Sequence, residues 1–169
     1  MLKLGNAMTT AISDPGVTPI GEPRPIIAPL ASFYTYSREL AWLVVRLTAG
    51  GMLLVHGINK VMPAAEKGLA ATVAAFAAGS MARRGIAVFA IETIGAILIV
   101  LGLFTRFAAA AAAIELAVVT FIAHWPNGFS WASPRGGWEY PLFWGLILFA
   151  IALRGGGPYS LDRKLGWEL

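Results

Sequence analysis

Residues 86–123 read IAVFAIETIGAILIVLGLFTRFAAAAAAIELAVVTFIA, in which two long apolar runs are separated only by Thr105 and Arg106. Each run is close to the length of about 20 apolar residues that an α-helix needs to cross a membrane. We therefore predict two membrane-spanning helices, residues 86–104 and 107–123, joined as a tight antiparallel hairpin. Each of them carries one carboxyl group in its interior, Glu92 in the first and Glu115 in the second.

Two further apolar segments flank this hairpin. Residues 40–61 form the first predicted span, and residues 140–153 form the fourth, which is short and starts nearer Trp138. Residues 64–81 are rich in alanine and poor in charge, which favours a helix lying at the membrane interface. The predicted fold is therefore all-α, an integral membrane four-helix bundle over residues 37–169 with an interfacial helix after its first span.

The first 36 residues differ from the rest because half of the chain's prolines fall there. Proline at this spacing blocks helix formation and favours extended structure. We predict an extended Pro-rich N-terminal arm over residues 1–36. A segment of this composition does not order alone, so we expect the arm to contact other membrane-protein subunits. The alternative is that it folds onto the chain's own helices. The segment has no apolar run typical of a signal peptide, so insertion is expected to rely on the internal spans.

The composition excludes several classes of protein. Hydrophobic residues make up 57% of the chain and charged residues 13%, against about 25% charged in soluble domains. The net charge of +4 comes from few charges rather than a dense basic stripe, so we expect membrane lipids as partners and no nucleic acid. The chain has no cysteine, which excludes disulfides, thiol chemistry and cysteine-bound metal sites.

Four ionisable residues lie inside the predicted spans and form a predicted buried cluster: Arg46, His56, Glu92 and Glu115. A charge at a helix centre costs about 2.5–3.5 kcal/mol, so each charge needs a partner. We expect Arg46 to pair with Glu115 or Glu92, and His56 to lie at the depth of Glu92. The carboxyl left over then holds a proton or pairs with His56, as in a proton relay. The alternative is an interhelical contact that only fixes packing.

The loop between the third and fourth spans, residues 124–141, is the second candidate region, and we call it the outer loop. It carries His124, Asn127 and Glu139 among several aromatic residues. The predicted pocket for a quinone headgroup lies beneath it and consists of His56, Lys60, Glu92, Trp125 and Trp138. His56 and either protonated Glu92 or Lys60 would donate to the two carbonyls. The alternative is that His56 hydrogen-bonds Glu92 and that the tryptophans form an interfacial belt.

Metal and haem sites are not expected. His124 follows Glu115 by nine residues, which places it on the opposite side of a continuous α-helix and argues against ligation of one haem by both histidines. With two histidines and no cysteine, other metal sites have too few ligands. Phosphate-binding, nucleophile and dinucleotide motifs are absent from the sequence, so catalytic residues are not assigned and independent catalytic activity is not expected.

Several short motifs stand in order between residues 40 and 164. They are Arg46-Leu47, His56-Gly57 with Lys60, Glu92, Leu101–Arg106, His124 with Asn127-Gly128-Phe129, Gly137–Pro141 and Gly157–Asp162. In this order and spacing they resemble the DoxX family of small four-helix bacterial membrane proteins. The resemblance implies a redox-associated protein of the bacterial inner membrane. Members are described as subunits of thiosulfate–quinone oxidoreductases or terminal quinol oxidases, or as membrane anchors for oxidative-stress and sulfur-metabolism enzymes.

Three functions fit the sequence. The first is an accessory or anchoring subunit of a larger membrane complex associated with electron transport. The second is a quinone-binding, proton-relaying subunit of a quinone oxidoreductase. The third is a small transporter, which no inverted repeat or broken helix supports. No intrinsic cofactor is expected, only bound quinone or lipid. Four spans place both termini on one side, and a slight excess of Lys and Arg there predicts that this side is cytoplasmic.

Overall fold

The computed structural model describes residues 26–27, 29–60 and 81–167. Within these residues the regular structure is helical, without strands. The chain divides into two compact units, Met1–Thr35 and Tyr36–Leu169. Residues 1–25 of the predicted arm and residues 64–80 of the predicted interfacial helix lie outside the described residues.

The first helix starts earlier than the sequence predicted. Helix α1 is Leu30–Asn59 and begins directly after Pro29, so residues 30–36 are helical and not part of an extended arm. Proline fits the start of a helix because its φ is already helical and its missing N–H would have no partner there. The segment Leu30–Asn59 contains no proline, so nothing in it blocks the helix.

The remaining helices carry two π-helical segments. Helix α2 combines Met81–Ala90, the π segment Ile91–Gly95, and Ala96–Leu101. Helix α3 combines Thr105–Val118, the π segment Val119–His124, and the 3₁₀ turn Trp125–Asn127. Helices α4 and α5 are Glu139–Arg154 and Leu161–Leu165. Helix α4 therefore covers the predicted fourth span and extends it by one residue at each end.

Among the described residues, two helices are long and apolar enough to cross a membrane, Leu30–Asn59 with 30 residues and Thr105–Asn127 with 23. Gly85–Leu101 is a shorter apolar helix. The buried residues of these helices are mostly small, whereas large apolar side chains are exposed: Phe107, Ile114, Phe143, Leu146 and Phe149 among others. This distribution suits helices that pack closely together and face lipid.

Small residues let α1 approach α2. A Cβ atom added at Gly50 would lie 2.9 Å from Cγ2 of Val100, and one at Gly57 would lie 2.6 Å from the carbonyl oxygen of Glu92. Helix α3 packs along α4 and against the π segment of α2. Ala109 and Ala112 of α3 are fully buried in this packing.

The connection between α2 and α3 is built by Gly102, Leu103 and Phe104, and we call this end of the molecule the hairpin end. The backbone is left-handed at Gly102 (φ 69°) and Phe104 (φ 48°). Thr105 and Arg106, predicted as the connection, are instead the first residues of α3. The guanidinium of Arg106 donates to the last carbonyls of α4, including Ala152 at 3.3 Å, which satisfies acceptors that the helix leaves open.

Asp162 holds the hairpin together from outside the four long helices. Its Oδ1 accepts from the backbone N–H of Phe104 at 2.7 Å. Its Oδ2 accepts from the backbone N–H of Thr105 at 3.0 Å and from the Thr105 hydroxyl at 2.6 Å. The Asp162 N–H donates in turn to the carbonyl of Gly102 at 2.8 Å. The carboxylate therefore caps α3, where it also complements the positive end of the helix dipole.

Candidate functional site

Arg46 lies at the hairpin end, away from the carboxyl groups that were expected to pair with it. The side chain is 1% exposed, and its Nη2 donates to the carbonyl of Tyr159 at 2.6 Å. Among the described residues no ion pair or hydrogen bond joins Arg46 to Glu92 or Glu115, so the predicted pairing is wrong. The segment after α4 folds back over this part of α1 and supplies the acceptor, and the acidic group that acts on Arg46 is Asp162.

Glu92 has a different cationic partner, Lys60. The ammonium of Lys60 at the end of α1 forms an ion pair with the carboxylate of Glu92, and the two side chains are 33% and 10% exposed. Glu115 on α3 lies in the electrostatic field of both groups. It is 7% exposed, and its carboxyl oxygens have no hydrogen-bond partner among the described residues. Two carboxyl groups are thus placed around one lysine.

A cavity of about 190 Å³ lies next to this group of charges. Helices α1, α2, α3 and α4 and the outer loop all contribute to its wall. Its lining residues are Ala49, Met52, Leu53, His56, Glu92, Leu116, Val119, His124, Trp131, Tyr140, Pro141, Trp144 and Leu148. The structure therefore brings together His56 and Glu92 of the predicted pocket, while Lys60, Trp125 and Trp138 are not among its lining residues.

The aromatic part of the wall comes from residues that sequence reasoning did not select. Trp131 of the outer loop lies with its ring 4.9 Å from that of Tyr140, and Trp144 lies one turn further along α4. The same loop contains Trp125 and Trp138, and composition alone did not favour one tryptophan over another as part of the cavity wall. The spacing of Tyr140, Trp144 and Leu148 at intervals of four residues was the available signal, because it defines one face of α4.

His56 lines the cavity from α1. Its ring centroid lies 6.4 Å from that of Tyr140, and the residue is exposed on its other side. The hydrogen bond from His56 to Glu92, the alternative considered from the sequence, is not present, and the ring makes no hydrogen bond within the described part of the chain. Both His56 and the Tyr140 hydroxyl can therefore donate to a ligand in the cavity.

His124 also lines the cavity, so the expectation that it faces away from the interior is wrong. Its Nδ1 lies 3.0 Å from the carbonyl oxygen of Gly136. A carbonyl only accepts, so Nδ1 donates this hydrogen bond, and when the ring is neutral its Nε2 keeps a lone pair. The ring packs on Trp131 with centroids 5.3 Å apart. The hydrogen bond to Gly136 and the contact with Trp131 thus hold the imidazole against the loop that covers the cavity.

The π segments explain the position of His124. Each residue of a π segment turns the chain through a smaller angle about the helix axis than a residue of an α-helix. A side chain at the end of Val119–His124 therefore points in a different direction from the one an α-helix would give it. Both π segments contain a threonine whose hydroxyl donates to the carbonyl four residues earlier. Thr93 donates to Phe89 at 2.5 Å and Thr120 to Leu116 at 2.7 Å, competing for the acceptors of the α-helical pattern.

Asn127 and Glu139 shape the outer loop rather than lining the cavity. The Asn127 side-chain amide donates to the carbonyls of Arg135 at 3.1 Å and Gly136 at 3.0 Å. The Oε1 of Glu139 accepts from the backbone N–H of Trp131 at 2.8 Å. Both contacts hold the loop in the conformation that places Trp131 over the cavity.

Trp125 and Trp138 stack on each other at the base of this loop. Their ring centroids are 5.0 Å apart with an interplanar angle of 20°, and Phe129 meets Trp138 edge-on at 4.9 Å. Parallel and edge-on aromatic pairs add about 0.5–1.5 kcal/mol each beyond the area they bury. The two tryptophans therefore fasten the ends of the loop to each other.

The size and chemistry of the cavity fit one small aromatic ring. A cavity of about 150 Å³ binds benzene, so about 190 Å³ is enough for a single substituted ring. Glu92 accepts a hydrogen bond from Lys60. These two residues therefore contact each other and are not the free donors to a ligand that the sequence suggested. The described residues contain no group of three His, Cys, Asp or Glu side chains placed to hold a metal ion.

Residues 41–125 match the family model described as DoxX, which covers half of the chain. The chain belongs to the DoxX family. This confirms the resemblance drawn from the sequence motifs, and together with the apolar helices it identifies the chain as a membrane protein. The matched residues include Arg46, His56, Glu92 and Glu115, whereas Trp131 and Tyr140 lie beyond them.

The chain is similar to a protein of Haemophilus influenzae that is described as an uncharacterized protein. It is 36% identical over 75 residues, which are 44% of this chain and 56% of that protein. The chain therefore spans little more than half the length of this curated relative. No solved structure matches the chain significantly.

Proposed function

We propose that this DoxX protein is a quinone-binding accessory subunit of a larger redox complex in the bacterial inner membrane. The observation that supports the proposal is the ring-sized cavity between four apolar helices, with aromatic walls and two unengaged donors, His56 and Tyr140. A quinone headgroup is a flat ring with two carbonyl acceptors. Quinone is dissolved in the lipid, where a protein with apolar helices can bind it.

The cavity residues divide the work of binding. Trp131 and Trp144 offer flat apolar surfaces to the ring, and His56 and Tyr140 donate to its carbonyl oxygens. His124, fixed by Gly136, presents an acceptor that suits a hydroxyl group on the reduced ring. A bound quinone supplies two-electron redox chemistry with uptake or release of protons.

The charged residues beside the cavity can carry those protons. Glu92 lines the cavity and contacts Lys60, and Glu115 lies next to both. A proton held in this group of three can therefore reach the cavity wall through Glu92. Buried carboxyl groups and lysines that exchange partners are the usual components of proton relays in membranes.

The proposed role is accessory because the chain contains two histidines and no cysteine with which to hold a redox centre of its own. Electrons for the quinone would come from a partner subunit. The four-helix bundle, the cytoplasmic termini and a contact between residues 1–36 and that partner belong to the same proposal.

The test measures quinone that co-purifies with the full-length protein. Protein is extracted from bacterial membranes in mild detergent, and quinone is determined per protein by chromatography. We expect quinone in the wild type and its loss in His56→Phe and Tyr140→Phe. Tyr159→Phe is the matched control, because this exposed tyrosine lies at the hairpin end and does not line the cavity.

Folding is checked for each variant by size exclusion and thermal unfolding. If the wild type contains no quinone, or if His56→Phe and Tyr140→Phe retain as much as Tyr159→Phe, the cavity is not a quinone site. In that case the aromatic wall and His56 serve only to pack the helices.

A further inference from the structure

A second and larger cavity opens at the hairpin end, at the opposite end of the long helices from His56 and Tyr140. Its volume is about 630 Å³. It is bounded by the first turns of α1 beyond Tyr36, the end of α4 and the segment that follows. Its lining residues are Glu39, Arg154, Gly157, Pro158, Ser160, Asp162, Arg163, Gly166 and Trp167. Neither the family match nor the proposed quinone site assigns a role to this cavity.

Two polar residues of the cavity, Asp162 and Ser160, are already engaged, whereas Oε2 of Glu39 has no hydrogen-bond partner among the described residues. Both oxygens of Asp162 accept hydrogen bonds from the start of α3. The hydroxyl of Ser160 donates to the carbonyl of Gly157 at 2.5 Å and accepts from the N–H of Arg163 at 3.2 Å. Asp162 and Ser160 therefore build the wall, and Glu39 is the lining carboxylate that remains, 3.8 Å from Nη2 of Arg154.

The two guanidinium groups have donors to spare. Arg154 lies 4.5 Å from the ring centroid of Trp42, and its Nη2 is 3.8 Å from Glu39 Oε2, which is beyond hydrogen-bonding distance. The side chain of Arg163 is exposed and makes no hydrogen bond within the described part of the chain. Each guanidinium carries five N–H donors in a planar fork that matches the oxygens of a phosphate.

The position of the cavity fits a group at the membrane surface. Arg154 ends the apolar helix α4, so its guanidinium lies where the hydrocarbon region gives way to water. Trp42 and Trp167 lie at the same level, and Trp167 is 63% exposed beside the cavity. Aromatic side chains of this kind sit at the depth of lipid headgroups.

We infer that this cavity binds the phosphate group of a phospholipid through Arg154 and Arg163, with Trp167 against the adjoining glycerol. The inference is independent of the quinone site, because the two cavities share no lining residue. A free phosphate ion offers the same oxygens, so the experiment must separate the two sources of this chemistry.

The experiment uses the full-length protein in detergent and native mass spectrometry, with phosphatidylglycerol added at increasing concentration. A parallel series adds inorganic phosphate to the lipid-bound protein as a competitor. We expect one tightly bound phosphatidylglycerol in the wild type, and affinity lowered about tenfold or more in Arg163→Gln and in Arg154→Gln, since each removes a charge-assisted hydrogen bond. Arg163→Lys, which keeps the charge but loses the fork, should lie between wild type and Arg163→Gln.

Arg135→Gln is the matched control, because Arg135 is an exposed arginine of the outer loop. Arg154 also packs on Trp42, so Arg163→Gln carries the test if Arg154→Gln lowers the unfolding temperature. Equal lipid affinity in Arg163→Gln, Arg135→Gln and the wild type would overturn the inference. Displacement of lipid by inorganic phosphate at equal concentration would retain the phosphate contacts but overturn the assignment to a lipid.

Discussion

Arg46 donates a hydrogen bond from Nη2 to the backbone carbonyl of Tyr159 at 2.6 Å, which joins the middle of α1 to the segment that follows α4. The same guanidinium lies directly beneath Gly102, where the chain turns from α2 to α3. One buried cation therefore contacts three parts of the molecule that are far apart in sequence. At the opposite end, the carboxyl groups of α2 and α3 share Lys60 instead.

Replacing Arg46 should destabilise the hairpin end without involving Glu115. We expect Arg46→Leu to lower the free energy of unfolding by about 1.5–3 kcal/mol, the value of a hydrogen bond from a charged donor. The double variant Arg46→Leu with Glu115→Gln should lose the sum of the two single effects, because the residues do not contact each other. Thermal or denaturant unfolding in detergent measures this. Recovery of stability in the double variant would show that the two groups are paired after all.

Gly57 should be intolerant of a side chain, whereas Gly51, on the same helix, should accept one. A Cβ atom at Gly57 would lie 2.6 Å from the backbone of Glu92, but one at Gly51 meets nothing within 4 Å. We expect Gly57→Ala to separate α1 from α2 and to destabilise the fold by about 1–3 kcal/mol. Gly51→Ala should be neutral or stabilise by up to about 1 kcal/mol, because alanine favours helix.

The two glycine variants are compared by their unfolding temperatures in the same detergent. Because Gly57 packs against the residue that pairs with Lys60, Gly57→Ala should also reduce any quinone bound in the cavity. Equal unfolding temperatures for Gly57→Ala and Gly51→Ala would contradict the close approach of α1 to α2.

Lys60 and Glu92 should depend on each other. Their pair is less exposed than a surface ion pair, worth about 0–1 kcal/mol, but more open than a fully buried pair, whose disruption costs about 3–5 kcal/mol. We therefore expect Lys60→Met or Glu92→Gln alone to cost about 2 kcal/mol. The double variant should cost less than the two together, since neither charge is then left without its partner. Strict additivity in this cycle would argue against the ion pair.

Asp162 should stabilise α3 from a distance of more than fifty residues along the chain. Asp162→Asn places an amide donor against the N–H groups of Phe104 and Thr105, and we expect a loss of about 1–2 kcal/mol. Asp162→Ala should cost at least as much. The other aspartate of the chain is Asp14, and Asp14→Asn is the control for the loss of one negative charge. Unfolding temperatures decide, and equal values for the Asp162 and Asp14 variants would exclude the cap.

The helices were predictable because their signal is local. Runs of apolar residues predicted where the long helices lie, and the interior carboxyl groups marked positions that need a partner. The start of α1 was placed too late, at residue 40 instead of Leu30, directly after Pro29. Family membership followed from the order of short motifs, without knowledge of what each motif contacts.

Partner choice depended on tertiary structure. The sequence was compatible with a contact between Arg46 and Glu115. In the structure Arg46 instead donates to a carbonyl of the segment after α4, and Lys60 pairs with Glu92. The π segment that ends at His124 places its ring at the cavity, and a helical wheel drawn for an α-helix does not predict this direction. Among several tryptophans of equal chemistry, hydrogen bonds from Asn127 and to Glu139 decided that Trp131 covers the cavity. Sequence alone indicated which segments are apolar enough to enter a membrane and which residues are costly there, because burial in lipid acts on each residue separately. Their pairing was decided only by the fold, because a contact depends on backbone angles and on chain segments distant in sequence.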